Sequence, residues 1–202
     1  IQLASGIFLL LTLMSIAAFV VIDPRGMFDL TISKNAYPKK FSFFNNETFI
    51  KPYNVRKYKP EYIITGNSIA NTAFDTSHSF FEGKKIYSYG MAGAGIYTNY
   101  RTYQHLIDQP PQKILHILDY SAFFYTNSTN NTDFIEKSDT GKRLRFGESG
   151  NENKSAFLQN IKDYSLLLFS FAIALDSIET IQRQEEDGWF LKNDGTWGGG
   201  ST

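Results

Sequence analysis

The sequence predicts an α/β domain, a parallel sheet flanked by helices, preceded by one N-terminal transmembrane helix. Residues 3–22, LASGIFLLLTLMSIAAFVVI, contain no charge, and a helix of about 20 apolar residues crosses roughly 30 Å of hydrocarbon. From Glu61 onward, short apolar runs alternate with segments of helical spacing. That order favours parallel strands, because each parallel pair needs a crossover. Of the 202 residues, 42% are apolar, enough for one domain with a real core.

Taken in order, residues 1–22 form the anchor; a cleaved signal peptide is the rival reading, with an apolar core usually only about 7 to 15 residues long. Residues 23–60 mix Pro, Asn, Lys and aromatics without a sustained period and read as a connector lying on the domain, with short strands at most. The domain proper is expected over 61–202, incomplete at its C-terminus. YIITG (62–66) is a buried strand ended by glycine, SIANTAF starts a helix, and KKIYSYG (84–90) is a second strand. Residues 96–109 place Ile96, Tyr100, Tyr103 and Leu106 at helical spacing before Pro110 and Pro111, and KILHILDY (113–120) is the third strand. Residues 126–154 are polar and read as a surface loop. Residues 157–186 read as one long helix with an apolar centre, packed or partly interfacial, and the tail DGWFLKNDGTWGGGST shows turn signals without a closing element.

Charge and composition narrow the function. Lys plus Arg balance Asp plus Glu at 20 each, so no global field recruits nucleic acid. There is no cysteine, and the histidines His78, His105 and His116 are scattered, which leaves neither a cofactor nor a metal site indicated. GMAGAG lacks the third glycine of a dinucleotide fingerprint. Near the span, Arg25, Lys34, Lys39 and Lys40 outnumber Asp23 and Asp29, which by itself leans toward a cytoplasmic flank.

Ligands of open parallel sheets sit at the carboxyl ends of the strands. The three predicted strands end in the turns Gly66 to Ser68, Gly90 to Gly95, and Asp119 to Ser121. A serine between a buried strand and a helix start has an exposed hydroxyl and nearby backbone N–H groups, as a nucleophile requires. The same serine is also a favoured N-cap. At the level of the residues alone, Ser68 is open between these roles.

IITGNSIANTAFD, followed by IYSYGMAGAGIYTNYRTYQHLI and KILHILDYSAFF, resembles the SGNH or GDSL-like hydrolase superfamily over about residues 58–125. It is similar in particular to the membrane-anchored bacterial branch that includes polysaccharide O-acetyltransferases and the D-alanyl transfer protein of teichoic acids. The resemblance implies an SGNH/flavodoxin-like three-layer fold. It also implies a serine acyl-ester hydrolase or acyltransferase with Ser68 as nucleophile, and an oxyanion hole drawn from the backbone N–H groups of Ser68, Gly90 and Gly93. Asp119 and Ser121 stand at the third-block turn. The implied partners are an acyl donor, an envelope glycopolymer acceptor and a membrane acyl-transfer protein, with the domain extracytoplasmic and held to the membrane through residues 3–22.

The chain departs from that pattern in three places. Asn67 replaces the usual aspartate, Asp119-Tyr120-Ser121 replaces Gly-x-Asn-Asp, and no Asp-x-x-His follows residue 125. Asp75 to His78 spells that motif, but in the first crossover, where His78 is expected to cap or face solvent. The alternative is a non-catalytic envelope assembly or binding protein that keeps the fold.

Overall fold

The computed structural model describes residues 2–43, 46–118, 120, 135 and 138–199. Helix α1, Gln2–Ile22, has no buried residue and is long and apolar enough to cross a membrane. Its C-terminal end is tied to the domain by charge. The Lys40 ammonium donates to Ile22 O at 3.0 Å and to Ser33 Oγ at 2.9 Å, and Ser33 Oγ donates to Ile22 O at 2.8 Å. A cation at the negative end of a helix dipole is favourable; burial nevertheless pulls Lys40 down to about 8.

The segment expected as a connector is helical: α2 spans Thr31–Ala36, a 3-10 turn covers Phe41–Phe43, and α3 spans Glu47–Tyr58. Helix α3 is buried on two faces. Glu47, Lys51 and Val55, spaced by four, turn toward the sheet, while Phe49 and Tyr53 face the helices that follow. Its charged residues Glu47 and Lys51 point inward, so no apolar stripe betrays it.

The mixed α/β core carries a three-stranded parallel sheet in the order β2-β1-β3, with β1 at Tyr62–Gly66, β2 at Ile86–Gly90 and β3 at Lys113–His116. Tyr62 pairs with Ile86 and Lys113, and Thr65 with Tyr89 and His116. The short helix α4, Ser68–Thr72, packs on one face through Ala70, beside Ile64 and Ile86. Helix α5, Ile96–His105, lies on the other.

Helix α5 keeps only the second half of the predicted stripe, with Leu106 buried and Tyr103 half-buried against Thr65 of β1. Thr98, Asn99, Arg101, Thr102 and His105 are buried, while Ile96 and Tyr100 are exposed. The reason is the loop behind it. Arg101 donates to Phe146 O and Gly147 O at 3.2 and 3.1 Å, and His105 takes the Arg145 N–H, so buried polar residues satisfy the side of the loop that its own Phe146–Glu152 bridge leaves unpaired.

Within 126–154, expected to be loop, Asp139–Arg143 forms helix α6. The long helix expected over 157–186 is two helices, α7 at Ser155–Phe169 and α8 at Phe171–Gln182, bent by 61°. Ser170 makes the break: it adopts an extended conformation and its hydroxyl caps α8 by accepting from Ile173 N–H at 3.3 Å. The tail is not all turn. Strands β4, Phe190–Leu191, and β5, Trp197–Gly198, form a hairpin whose Asp194 carbonyl accepts from Ser88 N–H at 2.7 Å, covering the outer edge of β2.

Candidate functional site around Ser68

Strand β1 is central, and its end delivers the candidate turn. Gly66 adopts φ +152°, and a Cβ there would come within 2.8 Å of Ile117 O, so only glycine lets the chain leave β1 this way. Asn67 follows in extended conformation and caps α4, its Oδ1 accepting from Ile69 N–H at 2.9 Å. The capping role open to Ser68 is therefore taken by its neighbour. Ser68 is the first helical residue, half-exposed, and neither its hydroxyl nor its N–H makes a hydrogen bond among the described residues.

The second turn packs directly behind. Met91 N–H donates to Gly66 O at 3.1 Å, joining the ends of β1 and β2. A Cβ on Gly90 would meet Asn67 O and Asn71 Oδ1 at 2.7 Å, so glycine permits the close approach of α4. Gly90 O accepts from Lys51 Nζ at 2.5 Å and Asn71 Nδ2 at 3.1 Å. Gly93, with φ +72°, is exposed at the turn's outer side. Asp119 and Ser121 lie outside the described residues.

Beneath both turns is a buried polar network that the sequence reading missed. Lys51 Nζ has three acceptors, Asn71 Oδ1 at 2.8 Å, Gly90 O at 2.5 Å and Glu47 Oε1 at 3.3 Å, which is what an ammonium needs. Burial pushes its pKa down, and the Glu47 carboxylate opposes that. Glu47 also accepts from Asn71 Nδ2 at 3.1 Å, Ala92 N–H at 3.1 Å and Trp197 Nε1 at 3.0 Å. Ser88 Oγ donates to Asn71 Oδ1 at 2.9 Å. The network ties α3, α4, the β2 turn and the C-terminal hairpin to the floor of the site. Its sequence signal was the Glu47 to Lys51 spacing of four, a helical ion pair.

None of the three histidines hydrogen-bonds Ser68. His78 Nδ1 accepts from Phe80 N–H at 3.1 Å and caps a 3-10 turn, while Ser77 N–H and Oγ bond to Asp75 Oδ1 at 3.0 and 2.6 Å. Asp75 and His78 are thus turn residues. His116 Nδ1 lies 2.8 Å from Thr65 Oγ1 and 2.7 Å from Tyr103 OH, a polar trio on the α5 face of the sheet, and burial lowers its pKa.

His105 is structural. Its Nδ1 accepts from Arg145 N–H at 2.7 Å, so Nε2 carries the proton and donates to Pro52 O at 2.8 Å. Burial holds it down to about 4, against 6.5 when free. On acidification the unfolded chain takes up this proton first, so stability falls between pH 6.5 and about 4, by about 3 kcal/mol in full. Denaturant titrations in detergent at pH 7 and pH 4.5 check this: His105→Gln should flatten the loss, and an equally steep loss in the variant would exclude His105 as its source.

A cleft of about 870 Å³ opens beside α3 and α7, lined by Arg56, Lys57, Lys59, Arg143, Arg145 and Lys154. Arg56 is paired with Asp108 and Arg143 with Asp163. Lys59 and Lys154 have no ion-pair partner among the described residues. Comparison with protein-family models, curated proteins and solved structures finds no match for this chain.

Proposed function

We propose that this protein is a membrane-anchored, SGNH-like serine acyl-ester hydrolase or acyltransferase that modifies a cell-envelope polymer, with its α/β domain extracytoplasmic. The observation that carries the reading is Ser68 itself: first residue of a helix at the carboxyl end of the central parallel strand, with its hydroxyl and N–H unengaged among the described residues while Asn67 does the capping. In the reaction, Ser68 Oγ adds to the ester carbonyl of the donor. The oxyanion is held by the backbone N–H groups of Ser68, Gly90 and Gly93, the donor alcohol leaves, and the acyl-serine passes to the polymer hydroxyl or to water. The proton of Ser68 goes to a base, which passes it to the departing donor oxygen; the resemblance assigns that base to an Asp-x-x-His, and none follows residue 125 in these 202 residues.

A second reading, a non-catalytic envelope assembly or binding protein, is favoured by the engagement of all three histidines elsewhere. One measurement separates the two. The full-length native gene product, treated with a serine-reactive fluorophosphonate, should gain one adduct by intact mass, and Ser68→Ala none. A folded full-length parent that takes no adduct establishes the second reading.

A further inference from the structure

We propose that the α7–α8 elbow is a second membrane-seated element, its tip at Phe169–Phe171 buried in the same leaflet that α1 leaves at Ile22. This rests on α1 being a membrane span.

The first argument is position. Both α7 and α8 pack against α1, and Leu167 and Ile173, which flank the bend, share a buried cluster with Phe19 of α1. Before its last residue, Ile22, the half-buried positions of α1 form one stripe, Thr12, Ile16, Phe19 and Val20, within its C-terminal half. Thr12 lies about 15 Å along the helix axis from Ile22 at 1.5 Å per residue. Helices that cover this stripe extend below the level at which α1 emerges.

The second argument is surface chemistry. Phe169 is 67% exposed and Phe171 78%, with Leu166 and Leu175 at 44% and 52%. Residues 164–175 carry no charge. The flanking carboxylates are held at the rim: Asp163 by Arg143 at 2.6 Å and Asp176 by Arg25 at 2.8 Å, the latter three residues beyond the end of α1. The uncharged arms on each side of Ser170 are about six residues long, a reach of about 9 Å. That is the depth of an interfacial insertion and too short for a span. An apolar tip of this kind left in water would be a liability; continuity with α1 identifies the bilayer as its occupant. Tyr164 stands where an interfacial aromatic belongs, its OH 3.5 Å from Met27 O, and it lines the cleft that holds Lys57, Arg143 and Lys154.

The absence of cysteine makes the test direct. Single cysteines are placed in the full chain at Phe169 and Phe171, with Leu9→Cys as the lipid reference and Ser149→Cys as the water reference. Each is labelled with an environment-sensitive fluorophore in vesicles containing phosphatidylglycerol. Quenching by aqueous iodide at the two elbow sites should be roughly tenfold weaker than at Ser149→Cys, as water exclusion by hydrocarbon requires. Lipid-borne nitroxides should quench them strongly. Iodide access at the elbow with Leu9→Cys shielded would overturn the elbow alone. Shielding without nitroxide quenching, relieved by diluting the protein in lipid, would assign the face to a second copy and overturn it too. A Leu9→Cys probe in water would remove the anchor, and the elbow's insertion with it.

Discussion

Lys51→Ala should destabilise the protein by about 3–5 kcal/mol, the cost of stranding one member of a buried ion pair. Lys51 is fully buried and its three acceptors belong to three different elements: Glu47 on α3, Asn71 on α4 and the carbonyl of Gly90 at the end of β2. Removing the ammonium leaves the Glu47 carboxylate with neutral donors only, the Trp197 indole, Asn71 and the Ala92 N–H. Lys51→Met keeps most of the side-chain volume and should cost nearly as much, because charge rather than a cavity is the main loss. Pairing it with Glu47→Gln should restore a large part of the stability. Denaturant unfolding of the two single variants and the double variant reads the coupling; strictly additive losses would show that the pair does not act as a unit. Because Gly90 and Asn71 bound the Ser68 turn, Lys51→Met should also slow fluorophosphonate labelling of any protein that remains folded.

That network also explains what the sequence could and could not disclose. Strands β1 and β2 were legible because nearly every residue in them is buried, so each reads as a short apolar run ended by glycine. Helix α3 was not, because Glu47 and Lys51 face the core and reach burial as a pair, which hydropathy scores as surface. Helix α5 misled for the same reason: Arg101 and His105 turn inward to satisfy loop backbone, leaving Ile96 and Tyr100 outside. The elbow was hidden in an unbroken apolar run, with Ser170 as its only local mark. The hairpin at 190–198 has strands of two residues each, too short to show a period. At the candidate site, the Ser68 turn was visible from strand, glycine and helix start; that Asn67 takes the cap depends on backbone angles that composition does not encode.

A second stranded charge should loosen the other half of the molecule. Asp163 is fully buried on α7 and accepts four hydrogen bonds: Arg143 Nε at 2.6 Å, a second Arg143 nitrogen at 3.0 Å, Tyr53 OH at 2.7 Å and Gln159 Nε2 at 2.8 Å. The Arg143 guanidinium lies 4.7 Å from the centre of the Phe49 ring, so α6, α7 and the outer face of α3 meet on one fork-to-carboxylate contact. Arg143→Met should cost about 3–5 kcal/mol, since Tyr53 and Gln159 cannot neutralise the carboxylate. Arg143→Lys should recover only part, because an ammonium does not reproduce the planar two-point contact. The location of the damage distinguishes this variant from Lys51→Ala. Hydrogen exchange should quicken across α6 and α7 in Arg143→Met while the β1 and β2 amides stay protected, whereas Lys51→Ala should open the strand ends and spare α7. Asp176, held by Arg25, lies on α8 beyond the bend, so the loosening in Arg143→Met should stop near Ser170. Uniform exchange across both halves in either variant would mean that α3 couples its two faces into one cooperative unit.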